Sequence, residues 1–151
     1  MTSVERAYGQ FCAERFPLPS DADVSELEKR INVRFPSEYR QFLLRYNGGD
    51  FTEPVIVPPD ESWPRDRLTF LHGIRASHRT AELGRERDLA LWEDNDPPEI
   101  VPIGYTLMGN FLWLIVADEG RGNVVLRTFD ESYLLADTIW EFFDLLEAPS
   151  P

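Results

Sequence analysis

The densest chemistry in the chain is the run Glu93-Asp94-Asn95-Asp96-Pro97-Pro98-Glu99, which places four carboxylates within seven residues. Clustered carboxylate oxygens suit a calcium ion, but the glycine-containing spacing of an EF-hand loop is absent. A solvated loop and a partner-binding acidic patch are the other readings. His72 and His78 stand six apart across Gly73, unlike the i, i+4 pairs that ligate zinc from one helix, so a surface or structural role is expected for both. Asn47-Gly48-Gly49-Asp50 resembles an anion-binding loop, yet it follows a helix and meets the wrong end of the dipole; a C-cap and turn is the expectation. No G-x-S-x-G elbow, P-loop, H-E-x-x-H or Cys-x-x-Cys pair occurs, which argues against catalysis, and no cofactor or metal is expected.

The net charge of −12 is unevenly placed. Residues 1–87 carry 14 acidic and 13 basic side chains, whereas residues 88–151 carry 13 acidic ones against only Arg121 and Arg127. Such a field repels nucleic acid and anionic lipid and favours a basic protein partner, although acidity also serves solubility alone. Asp118 and Glu119 extend the acidity into a second loop. Asp137, Glu141 and Asp144 fall at i, i+4 and i+7 and read as the solvated face of a last helix. Trp63 and Trp92 lie beside loops, where an indole can anchor a partner, while Trp113 and Trp140 read as core.

These residues must be positioned by one ordinary domain of 151 residues, 42% hydrophobic and 13% aromatic. The apolar run Phe111 to Ala117 is too short for a membrane span, and the N-terminus has no secretory h-region, so a cytoplasmic protein is expected. Lone Cys12 fits a reduced compartment and a small buried hydrophobe in a helix.

Val4, Ala7, Tyr8, Phe11 and Phe16 suggest a first helix, stopped by Pro17 and Pro19. Ser20 and Asp23 suggest the cap of a second, with Leu27 and Ile31 on its face. Pro36 opens a third, where Phe35, Tyr39, Phe42, Leu43 and Tyr46 form one stripe ended by Asn47-Gly48-Gly49. Strands are expected at 55–57, 68–71, 100–103, 111–117 and 124–129, the last two joined by a hairpin over 118–123. The unbroken apolarity of 111–116 predicts a central strand with both faces covered. Residues 77–92 are ambiguous, and Leu135, Ile139, Phe142, Phe143 and Leu146 predict a closing helix ended by Pro149.

Read as a string, Glu26-Leu27-Glu28 through Phe35-Pro36-Ser37-Glu38-Tyr39-Arg40-Gln41-Phe42-Leu43 to Asn47-Gly48-Gly49 resembles the leading motif of the SUKH superfamily, of the Smi/Knr type. Val101-Pro102-Ile103-Gly104, Gly109-Asn110-Phe111, Val124-Val125 and Ile139-Trp140-Glu141-Phe142-Phe143 follow in the same order, over about residues 22–147. The resemblance implies an α+β domain, with N-terminal helices and a C-terminal helix around a mainly antiparallel sheet, and no catalysis. It implies structural roles for Pro36, Tyr39, Phe42, Asn47, Gly48 and Gly49. Bacterial members are commonly immunity proteins that neutralise polymorphic toxins, often nucleases; fungal members resemble regulators of cell-wall synthesis.

Two functions are therefore expected from the resemblance and the charge: an immunity protein covering a basic toxin, or a regulatory scaffold binding a cellular protein. The expected contacts are Trp92, Glu93, Asp94, Asp96, Glu99, Asp118 and Glu119, on a monomer or weak homodimer. The Pro-rich 54–64 loop and the 77–92 insertion depart from the family pattern and are where specificity for the partner is expected.

Overall fold

A computed structural model describes residues 1–59, 65–85, 98–129 and 131–149. Helix α1 (Ser3–Phe11) starts where the Thr2 hydroxyl accepts from the Glu5 amide, and it buries Val4, Ala7, Tyr8 and Phe11. It stops earlier than the apolar spacing predicts. Cys12–Glu14 leaves the helix as strand β1, and Phe16 is buried in a separate small cluster with Phe70 and Ala81. The spacing from Val4 to Phe16 thus crosses a helix–strand junction, and Cys12 is a strand residue. It is half-buried; desolvation pushes its thiol pKa up against the opposing pull of Arg15.

Helix α2 (Asp21–Ile31) carries the expected capping box: the Ser20 hydroxyl accepts from the Asp23 amide at 3.1 Å, and the Asp23 carboxylate accepts from the Ser20 amide at 2.9 Å. Asn32, at φ 56°, ends it. Pro36 is the N-cap of α3 (Ser37–Arg45), where no amide proton is needed, and Tyr39, Phe42 and Leu43 face inward. The Glu28 carboxylate locks α2 to α3, accepting from the Arg40 guanidinium and from the Phe35 amide.

After α3 the chain reverses through Asn47 (φ 55°) and Gly48 (φ 73°), and Gly49 opens strand β2 (Gly49–Phe51), which the sequence did not suggest. The turn is therefore a helix end, as expected, and also a strand start. Asn47 is fully buried and bonds to Pro17 and Ile74.

Among the described residues the sheet has nine strands and is antiparallel at every pairing of its named strands, giving the α+β class expected. Its remaining strands are β3 (Val55–Ile56), β4 (Asp66–Leu71), β5 (Ile100–Thr106), β6 (Phe111–Ile115), β7 (Val124–Arg127), β8 (Ser132–Ala136) and β9 (Leu146–Glu147). Their order is β1-β2-β4-β5-β6-β7-β8, with β3 bridging β4 and β9. Strand β6 lies between β5 and β7, with one face fully buried and the other partly covered. Leu112 and Leu114 enter the core, while Phe111, Trp113 and Ile115 are half-buried on the other face. Trp113 is partly buried at the margin of the core, and the Arg127 guanidinium lies 5.7 Å from its ring centroid. Trp140 is half-buried as well, set edge-on against Phe42 and Tyr46.

The closing helix is shorter than predicted. Leu135 belongs to β8, and only α4 (Ile139–Phe142) and a 3-10 turn (Phe143–Leu145) follow before β9. The apolar period across Leu135, Ile139 and Phe142 arises because strand and helix both press the same core. Tyr39 is buried at the centre of that core, against Phe35 and Phe42. Its hydroxyl has no hydrogen-bond partner among the described residues, and burial raises its pKa far above the ordinary tyrosine value.

Candidate partner-binding surface

The β6–β7 hairpin carries Asp118 and Glu119, both exposed. Its shape comes from two left-handed glycines, Gly120 (φ 77°) and Gly122 (φ 94°), with the Gly122 amide donating to the Ile115 carbonyl at 2.8 Å. Glu99 joins this hairpin through its backbone: its carbonyl accepts from Val116 at 2.8 Å and Ala117 at 3.2 Å. Three of the sequence-predicted contacts, Glu99, Asp118 and Glu119, therefore stand at one end of the sheet with carboxylates open to solvent. Trp92, Glu93, Asp94 and Asp96 lie outside the described residues, as does Trp63.

Arg121 sits on the same hairpin, and its guanidinium is committed elsewhere. It donates to the Val116 carbonyl at 2.6 Å and to the Arg34 carbonyl at 2.7 Å, tying the hairpin to the loop between α2 and α3. A cation placed among carboxylates thus spends its donors on main-chain oxygens. No local pattern in the sequence marks this bond, because its two ends are 87 residues apart.

At the other end of the sheet a second fixed turn connects β5 to β6. Asp66 is almost fully buried, and its carboxylate accepts from the Met108 amide at 3.2 Å and from the Asn110 side-chain amide at 3.0 Å. That anchor holds Leu107 and Met108 outward, 57% and 61% exposed.

The histidines take structural positions, as expected. His72 is buried between the rings of Phe70 and Phe111. His78 spans from Asp50 on β2, 2.6 Å from Nε2, to Thr80, 2.8 Å from Nδ1. An Asp–His–Thr line can activate a hydroxyl. Here the Thr80 hydroxyl is two residues along the same turn, so the line ties that turn to β2. Among the described residues, no group of three or more His, Cys, Asp or Glu side chains is set to hold a metal ion. Nor is any described helix long and apolar enough to cross a membrane.

With this geometry in view, a family model described as the SMI1 / KNR4 family (SUKH-1) matches residues 18–145. The chain is also similar to a Bacillus subtilis (strain 168) protein described as "SPbeta prophage-derived uncharacterized protein YokK". The two are 24% identical over 174 aligned positions, covering 98% of this chain and 87% of the relative. No solved structure matches.

Proposed function

The chain belongs to the SMI1/KNR4 family (SUKH-1), and from that premise we propose that it is a non-enzymatic binding domain, an immunity protein that neutralises a basic toxin through its acidic surface. The observation that carries this reading is the charge of residues 88–151, 13 acidic against 2 basic side chains, with one of the two, Arg121, engaged by main-chain carbonyls. Toxins that act on nucleic acid hold phosphate with Lys and Arg, and an acidic cover competes for the same groups. The relative described as prophage-derived is from a bacterium, and immunity is the role that the family resemblance implies for bacterial members.

The contacts assigned to this role are Glu99, Asp118 and Glu119, together with Trp92, Glu93, Asp94 and Asp96, which lie outside the described residues. The test is affinity capture from the source organism at low and high salt, with bound proteins identified by mass spectrometry. A basic toxin, released by salt because exposed charges are screened beyond about 8 Å at physiological ionic strength, is the expected result. The triple variant Glu99→Lys/Asp118→Lys/Glu119→Lys should then associate at least about tenfold more slowly. Capture of a cell-wall or housekeeping protein instead would overturn the immunity reading in favour of a regulatory scaffold.

A further inference from the structure

The two ends of the sheet path differ in how they are closed. Strand β1 has three residues, an irregular register against β2, and the charged Glu14 and Arg15 at its end, all features that discourage pairing. Strand β8, Ser132-Tyr133-Leu134-Leu135-Ala136, has no charge and no proline, and among the described residues it pairs with β7 alone.

The ladder shows which groups face outward. The Thr128 amide donates to the Glu131 carbonyl at 2.8 Å, which makes that pair a hydrogen-bonded one. Alternation along an antiparallel ladder then makes Leu126–Tyr133 a bonded pair, and Arg127–Ser132 and Val125–Leu134 non-bonded ones. The amides and carbonyls of Ser132 and Leu134 therefore point away from β7. The Leu134 side chain is 55% exposed and continues the row Trp113–Val125 on the open face. The register shifts after Leu134, so the regular edge is Ser132 to Leu134.

Charge decides what fits there. Beyond Arg127 the chain carries six acidic side chains and no basic one, and exposed Glu131 and Asp137 bracket the strand. We infer that the β8 edge takes up an extended, basic segment of a partner protein by strand addition, with its main chain bonding to Ser132 and Leu134 and its Lys or Arg side chains reaching Glu131 and Asp137. A second copy of this chain would pair like with like, bringing Glu131 of one beside Asp137 of the other. This inference rests on the reading of a basic protein partner and assigns its docking edge.

The test uses the whole protein and a ten-residue peptide alternating Lys with Val, beside a control alternating Glu with Val. Amide exchange is followed residue by residue by NMR. With the Lys peptide at about ten times its Kd, the Ser132 and Leu134 amides should exchange roughly tenfold more slowly, and salt or Glu131→Lys/Asp137→Lys should weaken binding. Three outcomes would overturn the inference: no protection at these two amides at millimolar peptide, equal protection by the Glu peptide, or protection that appears without peptide as protein concentration rises, which would give the edge to a second copy. None of these depends on a toxin being captured, so a failure here leaves the immunity reading to its own test.

Discussion

Asn47 satisfies both main-chain polar groups of Ile74 with one side chain: Oδ1 accepts from the Ile74 amide at 2.8 Å, and Nδ2 donates to the Ile74 carbonyl at 2.8 Å. The same Nδ2 donates to the Pro17 carbonyl at 2.6 Å, so a residue between α3 and β2 holds the N-terminal connection and the turn after β4 together. Asn47→Ala leaves buried main-chain groups unpaired and should cost roughly 2–4 kcal/mol, read from urea denaturation. Asn47→Asp keeps the acceptor but sets a carboxylate against two carbonyls, and should be at least as damaging.

Gly48 and Gly9 make a contrasting pair. A Cβ at Gly48 would lie 2.4 Å from the His72 carbonyl oxygen and 2.5 Å from that of Leu71, at φ 73°. Gly48→Ala should therefore destabilise by roughly 3–5 kcal/mol. Gly9 lies in α1, where an added Cβ would meet nothing within 4 Å, so Gly9→Ala should stabilise by roughly 0.5–1 kcal/mol. Thermal melts of the two variants should move in opposite directions.

Tyr39→Phe should change stability by less than about 1 kcal/mol, in either direction. The substitution removes a buried hydroxyl that has no hydrogen-bond partner among the described residues and keeps the ring contacts. A loss of several kcal/mol in chemical denaturation would show that the hydroxyl is bonded.

The α2 cap gives a pH dependence. The Ser20 amide, then the Ser20 hydroxyl and the Arg75 guanidinium, hold the Asp23 carboxyl below the ordinary aspartate value. A depressed carboxyl stabilises the fold above the unfolded-state pKa, and that contribution is lost as pH falls through the folded one. Asp23→Asn should thus flatten the acid limb of the stability curve while leaving neutral pH the more affected. Ser20→Ala should cost about 1 kcal/mol at pH 7.

Cys12 should react slowly with iodoacetamide at neutral pH. Burial raises its thiol pKa, and only the thiolate attacks. Its rate should climb with pH and stay below that of the urea-unfolded chain; equal rates at pH 7 would contradict the half-buried setting.

The helices are legible in the sequence because their signals are local. The box of Ser20 and Asp23, the proline before α3 and the stripe Tyr39, Phe42, Leu43 each need only a few residues in one turn. Strands β2 and β8 are hidden for the opposite reason. Each is short, and each exists through a partner far along the chain or through the ladder beside it, as Gly49 opposite Leu71 and Leu134 opposite Val125 show. Leu135 mimics a residue of the last helix because a strand and a helix facing one core can share an apolar period.

The charge asymmetry, the caps and the turn at Asn47-Gly48-Gly49 were determined by the sequence itself, since composition and short-range hydrogen bonding carry them. Which acidic residues share a surface, that Arg121 is bound by carbonyls, that Asp66 anchors a turn more than 40 residues away, and that β8 ends the sheet path were decided only in three dimensions. The physical reason is that a ladder or a buried polar contact is defined by its partner, and the chain alone does not say which distant segment will supply it.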